Sequence, residues 1–300
     1  MTLEQLRIFV EVAERGHLTQ AASALALTPS AVSSSIRVLE SRYSTPLFNR
    51  VGRRIEISEA GRIFLTEARA TLASARTAEL VLSELSGLRS GSLSIQASQT
   101  IASYWLPSLL VDFHQRYPQI ALSLTIGNTQ QVAQAVTDGA ADLGFIEGEI
   151  DEPELITETV GQDHIVAVVA PGHPWANGKP RTAADLLSGQ WIMREQGSGT
   201  RSAFEELLKD IGVDASGLQI ALTLPSNEAV RTAVMSGPFA TVVSELVVAS
   251  HLQVGLLCRI NIDLPPRSFY LLRHKARYKT KASLALQEMI QQQHAALLVQ

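Results

Sequence analysis

The apolar residues of this chain change their period near Gly91. Before that point they recur every three or four residues, the spacing of one helix face. After it, short alternating runs interchange with helical stretches, the pattern of strand–helix–strand units around a parallel sheet. One layer architecture cannot satisfy both patterns, so the chain is expected to be α/β overall, with a separate helical head. Three hundred residues suit two or three domains, and 46% apolar residues are enough for a core in each.

The helical head opens on Thr2-Leu3-Glu4-Gln5, a capping box with Gln5 three residues after Thr2. Leu6, Phe9, Val10 and Ala13 follow at helical spacing, and Gly16 is a natural stop. Thr19 is the expected cap of a short second helix through Ala21, Ala22, Leu25 and Ala26. Thr28 then caps a third helix, with Pro29 at its first position, where the missing N–H costs nothing. On that helix Val32, Ile36, Leu39 and Tyr43 form the expected buried stripe. Ser30, Ser33, Ser34 and Arg37 face the other way.

Helix, short helix, tight turn and helix make a helix-turn-helix layout, whose last helix enters a major groove. Pro46-Leu47-Phe48 is expected to plug the core, and Arg50 to Ile57 reads as a hairpin with a glycine turn and a basic tip. A generic helical bundle would also explain three short helices. The basic hairpin directly after the third helix favours DNA.

The formal net charge of −4 excludes a uniformly basic nucleic-acid coat, but it hides an asymmetry. Residues 1–90 carry eleven Arg and nine Glu, while all five lysines lie after residue 178 and the remainder is acidic. Residues 41–55 hold Arg42, Arg50, Arg53 and Arg54 with no acidic residue. Arginine suits planar contact with phosphate or guanine.

Leu6-x-x-Phe9, Ala21-Ala22, Leu27-Thr28-Pro29-Ser30-Ala31-Val32-Ser33, Ile36, Leu39-Glu40, Leu47-Phe48-x-Arg50 and Gly61 together make a long, specific pattern. On these residues, Leu3 to Leu65 resembles the winged helix-turn-helix of LysR-type transcriptional regulators. The resemblance implies double-stranded promoter DNA as partner. It implies contacts from Thr28, Pro29, Ser30, Ser33, Ser34 and Arg37 on the third helix and from Arg50, Arg53 and Arg54 on the wing. Ser34 departs from the family, which often has Arg or Gln there, and serine reads bases less distinctly.

Ser58 is the expected cap of a long helix reaching about Leu88. Phe64, Ala68, Thr71, Ala75, Ala78, Leu82 and Leu85 step by four and three, as in a coiled-coil seam. A single amphipathic helix packed on its own domain is the alternative. Similar regulators dimerise through this helix and often form tetramers, so a homodimer or homotetramer is implied. Gly87 to Gly91 reads as a hinge.

Beyond the hinge, strands are expected at Leu93–Ala97, Ile120–Ile126, Leu143–Ile146, Trp191–Met193, Gln219–Leu224, Phe239–Val243 and Ser268–Leu272. Helices are expected at Trp105–Tyr117, Thr200–Lys209, through Val230, and from Lys281 to Ala295. This half is similar, more loosely, to the family's two-lobed effector domain, itself like periplasmic solute-binding proteins. The expected organisation is a head at residues 1–58, a linker helix and hinge at 59–90, and an effector domain at 91–300. Its first lobe spans 91–162 and 267–300, its second 163–266.

Two loops each follow a strand and open a helix: Ser98-Gln99-Thr100 and Gly197-Ser198-Gly199-Thr200-Arg201. Free N–H groups at helix starts attract anions, and glycine lets a ligand approach the backbone. If the lobes face each other, both helix starts point into one cleft at the strands' carboxyl ends. Asn128, Arg201 and Asn227 could add donors. The plain alternative is that Ser98, Thr100, Ser198 and Thr200 are ordinary N-caps. Donors of this kind suit a compact anion such as sulfite, sulfate, phosphate or a small carboxylate. The Gly-Ser-Gly-Thr-Arg loop also resembles family members tied to sulfur assimilation. A regulator answering to a small organic acid is the alternative.

The single cysteine, Cys258, permits no intramolecular disulfide and no cysteine-based zinc site, which suits a reducing compartment. The first residues lack a signal-peptide pattern, and no apolar run is long enough to span a bilayer. A cytoplasmic location without a membrane partner is therefore expected. Cys258 lies in an apolar run, His164, His173 and His251 lack metal spacing, and no phosphate loop or nucleophile elbow occurs. Neither an enzyme nor a transport-type binding protein is expected. No cofactor or metal is expected either, only a small co-inducer, and RNA polymerase is a further partner that the resemblance admits.

Overall fold

The computed structural model describes residues 1–51, 54–85 and 91–298, with the side chains of residues 50, 51, 54, 83–85 and 294–298 left aside. The residues form two compact units. One holds the first 85 residues together with Thr137–Ala140, the other the rest of the chain.

In the first unit α1 (Leu3–Arg15) begins at the Thr2–Gln5 capping box and ends at Gly16, whose φ of 60° is left-handed. Helix α2 (Leu18–Ala24) is capped not by Thr19 but by His17, whose ring accepts from the Thr19 N–H. Thr28 caps α3 (Pro29–Tyr43) by accepting from the Ala31 N–H at 3.2 Å. Val32, Ile36 and Leu39 are buried as expected, but Tyr43 is exposed, with Arg42 stacked over its ring. The helix runs out at Ser44, one residue beyond Tyr43.

Strands β1 (Phe48–Val51) and β2 (Arg54–Ile57) pair antiparallel, Arg50 opposite Ile55. Glu40 fastens this hairpin to α3, accepting from the N–H groups of Leu47 and Phe48. Ser58 accepts from the Gly61 N–H and opens α4 (Glu59–Leu85). Gly61 must be glycine: a Cβ there would stand 2.2 Å from the Leu47 carbonyl oxygen. Phe64 packs on Phe9 and Ala68 is buried in the head's own core, whereas Ala78 and Leu82 further along are exposed. The early turns of α4 thus pack on the head's own domain, as the single-helix alternative expects.

The second unit contains two five-stranded sheets. The chain runs through β3 (Gly91–Ser98), a π-helical turn (Ile101–Trp105), α5 (Leu106–Arg116), β4 (Ile120–Gly127), α6 (Thr129–Asp138), β5 (Leu143–Glu147) and β6 (Leu155–Asp163). It crosses into β7 (Ile165–Val169), α7 (Ala183–Ser188), β8 (Gln190–Arg194), α8 (Gly199–Asp210), β9 (Gln219–Leu224), α9 (Asn227–Met235), β10 (Ala240–Ser244), α10 (Glu245–Gln253) and β11 (Cys258–Arg259). It returns through β12 (Arg267–His274) and ends in α11 (Lys281–Leu298).

The sheet orders are β4-β3-β5-β12-β6 and β11-β7-β10-β8-β9. The strand–helix rhythm predicts parallel sheets, and β3, β4 and β5 are indeed parallel, as are β8, β9 and β10. However, β12 runs antiparallel to β5 and β6, and β7 antiparallel to β10 and β11. The strands that carry the chain between the sheets cause this, since no crossover helix precedes them. Leu93, Phe145, Phe269 and Leu286 fill one core; Trp191, Phe204, Val169 and Val242 fill the other.

Candidate functional site

Each unit carries one candidate site. In the first, the backbone of α3 carries Ser30, Ser34 and Arg37 exposed in a row at helical spacing, with Ser33 half-buried beside them. The Thr28 hydroxyl is engaged as the cap and lies 3.0 Å from the Ser30 hydroxyl, and Pro29 fixes the first turn. Arg50 and Arg54 sit on β1 and β2; Arg53 and the hairpin tip lie outside the described residues. An exposed row of hydroxyls ending in a guanidinium can meet phosphates and base edges.

In the second unit the strand ends of both sheets converge. Gly199, at the start of α8, abuts the Glu147 carbonyl at the end of β5, and a Cβ there would stand 2.4 Å from that oxygen. The Thr129 hydroxyl donates to the same carbonyl at 3.1 Å. On this side Asn128 reaches the second sheet, donating to the Gln196 carbonyl at 3.4 Å, and the Gln130 N–H donates to the Gly197 carbonyl.

On the other side Asn227 ties the sheets together. Its side-chain amide donates to the Thr100 hydroxyl at 3.1 Å, and its backbone N–H donates to Gln99 at 2.7 Å. Gln99 and Tyr104 in turn donate to the Glu228 carboxylate at 2.6 and 2.9 Å. Burial, and then the bond to Glu228, pushes the Tyr104 hydroxyl up from its ordinary pKa. The π-helical turn is what presents Tyr104 to this bond; such turns recur at functional sites.

The plain alternative for the four hydroxyls was helix capping. None of them caps. Thr100 is not bonded to its own helix and accepts instead from Asn227. Thr200 accepts from Arg267 at 3.0 Å. Ser198 precedes α8 without a side-chain cap bond. Ser98 is 2% exposed, and its hydroxyl has no partner among the described residues. Buried polar atoms are almost always bonded, and an unbonded one points to a ligand, water or ion.

Sequence reasoning missed the charged groups that frame this region. Arg267, on β12, is buried and grips Asp163 through two nitrogens at 2.8 and 2.6 Å. The Ser244 hydroxyl donates to the other Asp163 oxygen at 2.7 Å, and Glu147 stands 3.7 Å from the Arg267 guanidinium. Arg194 ends β8 and is 5% exposed, donating to Glu195 and, at 2.5 Å, to Asn227. Burial pushes the Glu195 carboxyl up, but the hydrogen bonds and charge of Arg194 outweigh this and hold it below the ordinary carboxylate pKa. One signal was available: an arginine at the carboxyl end of a strand, directly before a glycine loop. By contrast Arg201, expected as a donor, is turned along its own helix to Glu205 and to the Arg194 carbonyl.

Among the described residues no cluster of three or more His, Cys, Asp or Glu could hold a metal, and no helix is long and apolar enough to cross a membrane.

Two family models match the sequence. The bacterial regulatory helix-turn-helix protein, lysR family, covers residues 3–62, and the LysR substrate binding domain covers residues 86–295. The uncharacterized HTH-type transcriptional regulator YeiE of Escherichia coli (strain K12) is 37% identical over 284 residues, 94% of each chain. The crystal structure of full-length CbnR with its target DNA covers 97% of this chain and 99% of its own, with a TM-score of 0.67 and 22% identity, a likeness of fold. The Synechocystis PCC6803 CcmR regulatory domain in complex with 2-PG covers 68% of this chain and 97% of its own, with a TM-score of 0.62 and 26% identity.

Proposed function

The chain belongs to the LysR family of transcriptional regulators, not to an enzyme family, and from that premise we propose that it answers to a small anion held between the two sheets of its second unit. The observation that carries this is the Ser98 hydroxyl, buried without a partner at the start of one loop. In the same unit, Ser198 is not used as a cap, and the helix starts of α6 and α8 meet at Gly199. Helix starts and hydroxyl donors favour negative charge. Sulfite or sulfate is the proposed effector, in keeping with the Gly-Ser-Gly-Thr-Arg loop. A small organic acid is the second reading, supported by 2-PG in the related CcmR domain.

The head reads promoter DNA through the exposed row on α3 and the arginine hairpin. Two or four copies associate through the exposed later turns of α4, and the cytoplasm is the proposed compartment. Effector binding favours one arrangement of the lobes and so alters how the heads meet DNA.

A thermal-shift panel of sulfite, sulfate, phosphate and small carboxylates tests the effector. At least one anion should raise Tm in the full chain and fail to do so in Ser98→Ala. No response to any sulfur oxyanion overturns the sulfur reading, and no response to any anion overturns the anion cleft. For the head, Arg37→Ala should weaken promoter binding about tenfold and lower the salt slope by about one. Unchanged affinity and slope would overturn the α3 assignment.

A further inference from the structure

Arg194 is a buried cation whose only anionic partner among the described residues is the one beside it in the chain. Its Nε donates to one Glu195 oxygen at 2.8 Å and its Nη2 to the other at 2.9 Å. Two parallel bonds from one guanidinium edge to one two-oxygen group is the arrangement that a ligand carboxylate, or two oxygens of a sulfur or phosphorus oxyanion, would also make. The third nitrogen is held separately, donating to Asn227 at 2.5 Å, and Asn227 is itself pinned to Thr100 on the other sheet. The guanidinium therefore keeps its aim whether or not Glu195 is present. Ser98, with its unpartnered hydroxyl, lies two residues before Thr100 at this same crossing.

The two charges are not equally free to leave. Arg194 is 5% exposed on its side chain and Glu195 27%. A buried cation stripped of its partner is strongly destabilising, so Arg194 requires an anion at all times. Glu195 can turn out to water.

We infer that Glu195 is a placeholder for the effector, and that an anion entering the cleft displaces it from Arg194. This rests on the anion cleft proposed above and adds the residue that selects charge. A neutral ligand leaves the buried cation uncompensated and is refused. Displacement also removes Glu195 from Asn128, whose amide stands 3.5 Å away on the other sheet. Occupancy of the cleft is thereby linked to a contact between the lobes.

Isothermal titration of the full-length chain with sodium sulfite, sulfate, phosphate and glycolate tests this. A competing internal anion lowers apparent affinity by the fraction of sites it occupies. Glu195→Gln keeps the shape and removes the charge, so the anion that binds should bind at least tenfold more tightly. Arg194→Gln should abolish that binding. If Glu195→Gln binds equally or less tightly while Ser98→Ala weakens binding tenfold, the cleft stands and the placeholder is overturned. If no anion binds either wild type or Glu195→Gln, both are overturned.

Discussion

The helix starts of the first unit and the sheet junction of the second use their polar side chains in opposite ways. In the first, Thr2, Thr28 and Ser58 each bond the backbone three residues ahead and start the helix they precede. In the second, Thr100 bonds a side chain 127 residues away, Thr200 one 67 away and Asp163 one 104 away. The first pattern builds secondary structure, and Thr2 and Thr28 stay exposed. The second builds a junction between sheets, and its groups are buried, where an unmet bond is costly and a met one is specific.

That contrast predicts a ranking of substitutions. Asp163→Asn should cost the most, about 3–5 kcal/mol in chemical denaturation, because it leaves the buried Arg267 guanidinium bonded to a neutral amide, with the Glu147 carboxylate 3.7 Å away. A loss near 1 kcal/mol would erase the distinction between the units. Thr28→Ala should cost about 1 kcal/mol, the ordinary value of a helix cap, and Thr28→Ser should restore most of it. Ser98→Ala inverts the sign. Its hydroxyl is buried unbonded, so removal should stabilise the ligand-free chain by up to about 1 kcal/mol. A destabilised Ser98→Ala would mean that the hydroxyl already has a structural partner.

The smallest effect concerns pH. Glu195 has a folded-state pKa below its ordinary 4.5, so its pair with Arg194 contributes stability above that value. That contribution is lost as pH falls through the lowered folded-state pKa. The Tm difference between wild type and Glu195→Gln, measured without anion, should therefore shrink as pH falls through that lowered pKa. A gap independent of pH would mean that the charge of Glu195 is irrelevant to the pair.

The same contrast explains what could be read from the sequence. The head was legible because its determinants are local: a capping box, a proline at a helix start, and a glycine stop lie within three or four residues of what they control. The misses there were local too. His17 caps α2 because its ring accepts from the Thr19 N–H, which leaves Thr19 inside the first turn, and Tyr43 escapes burial because α3 ends beside it. In the second unit most strands and helices were legible from period alone. The antiparallel returns of β7 and β12 were not, since strand direction depends on which sheet the chain re-enters. The loops Ser98–Thr100 and Gly197–Thr200 were recognised, but Arg194, Asp163 and Arg267 were not. A charged residue in sequence reads as surface until its partner, scores of residues away, is known.

The π turn spans Ile101–Trp105 and carries Tyr104. The Leu106 N–H there reaches the Ile101 carbonyl, five residues back, where an α-helix would reach four. The turn thus holds one residue more than the helix it leads into. Deleting that residue would let the segment relax into ordinary α-helix with its apolar side still on the sheet, so the fold has little reason to resist the loss. The register of everything before it would slip by about a quarter of a turn, carrying Tyr104 away from Glu228. A single-codon deletion at this spot is a route by which a regulator of this kind could keep its architecture and change what it senses.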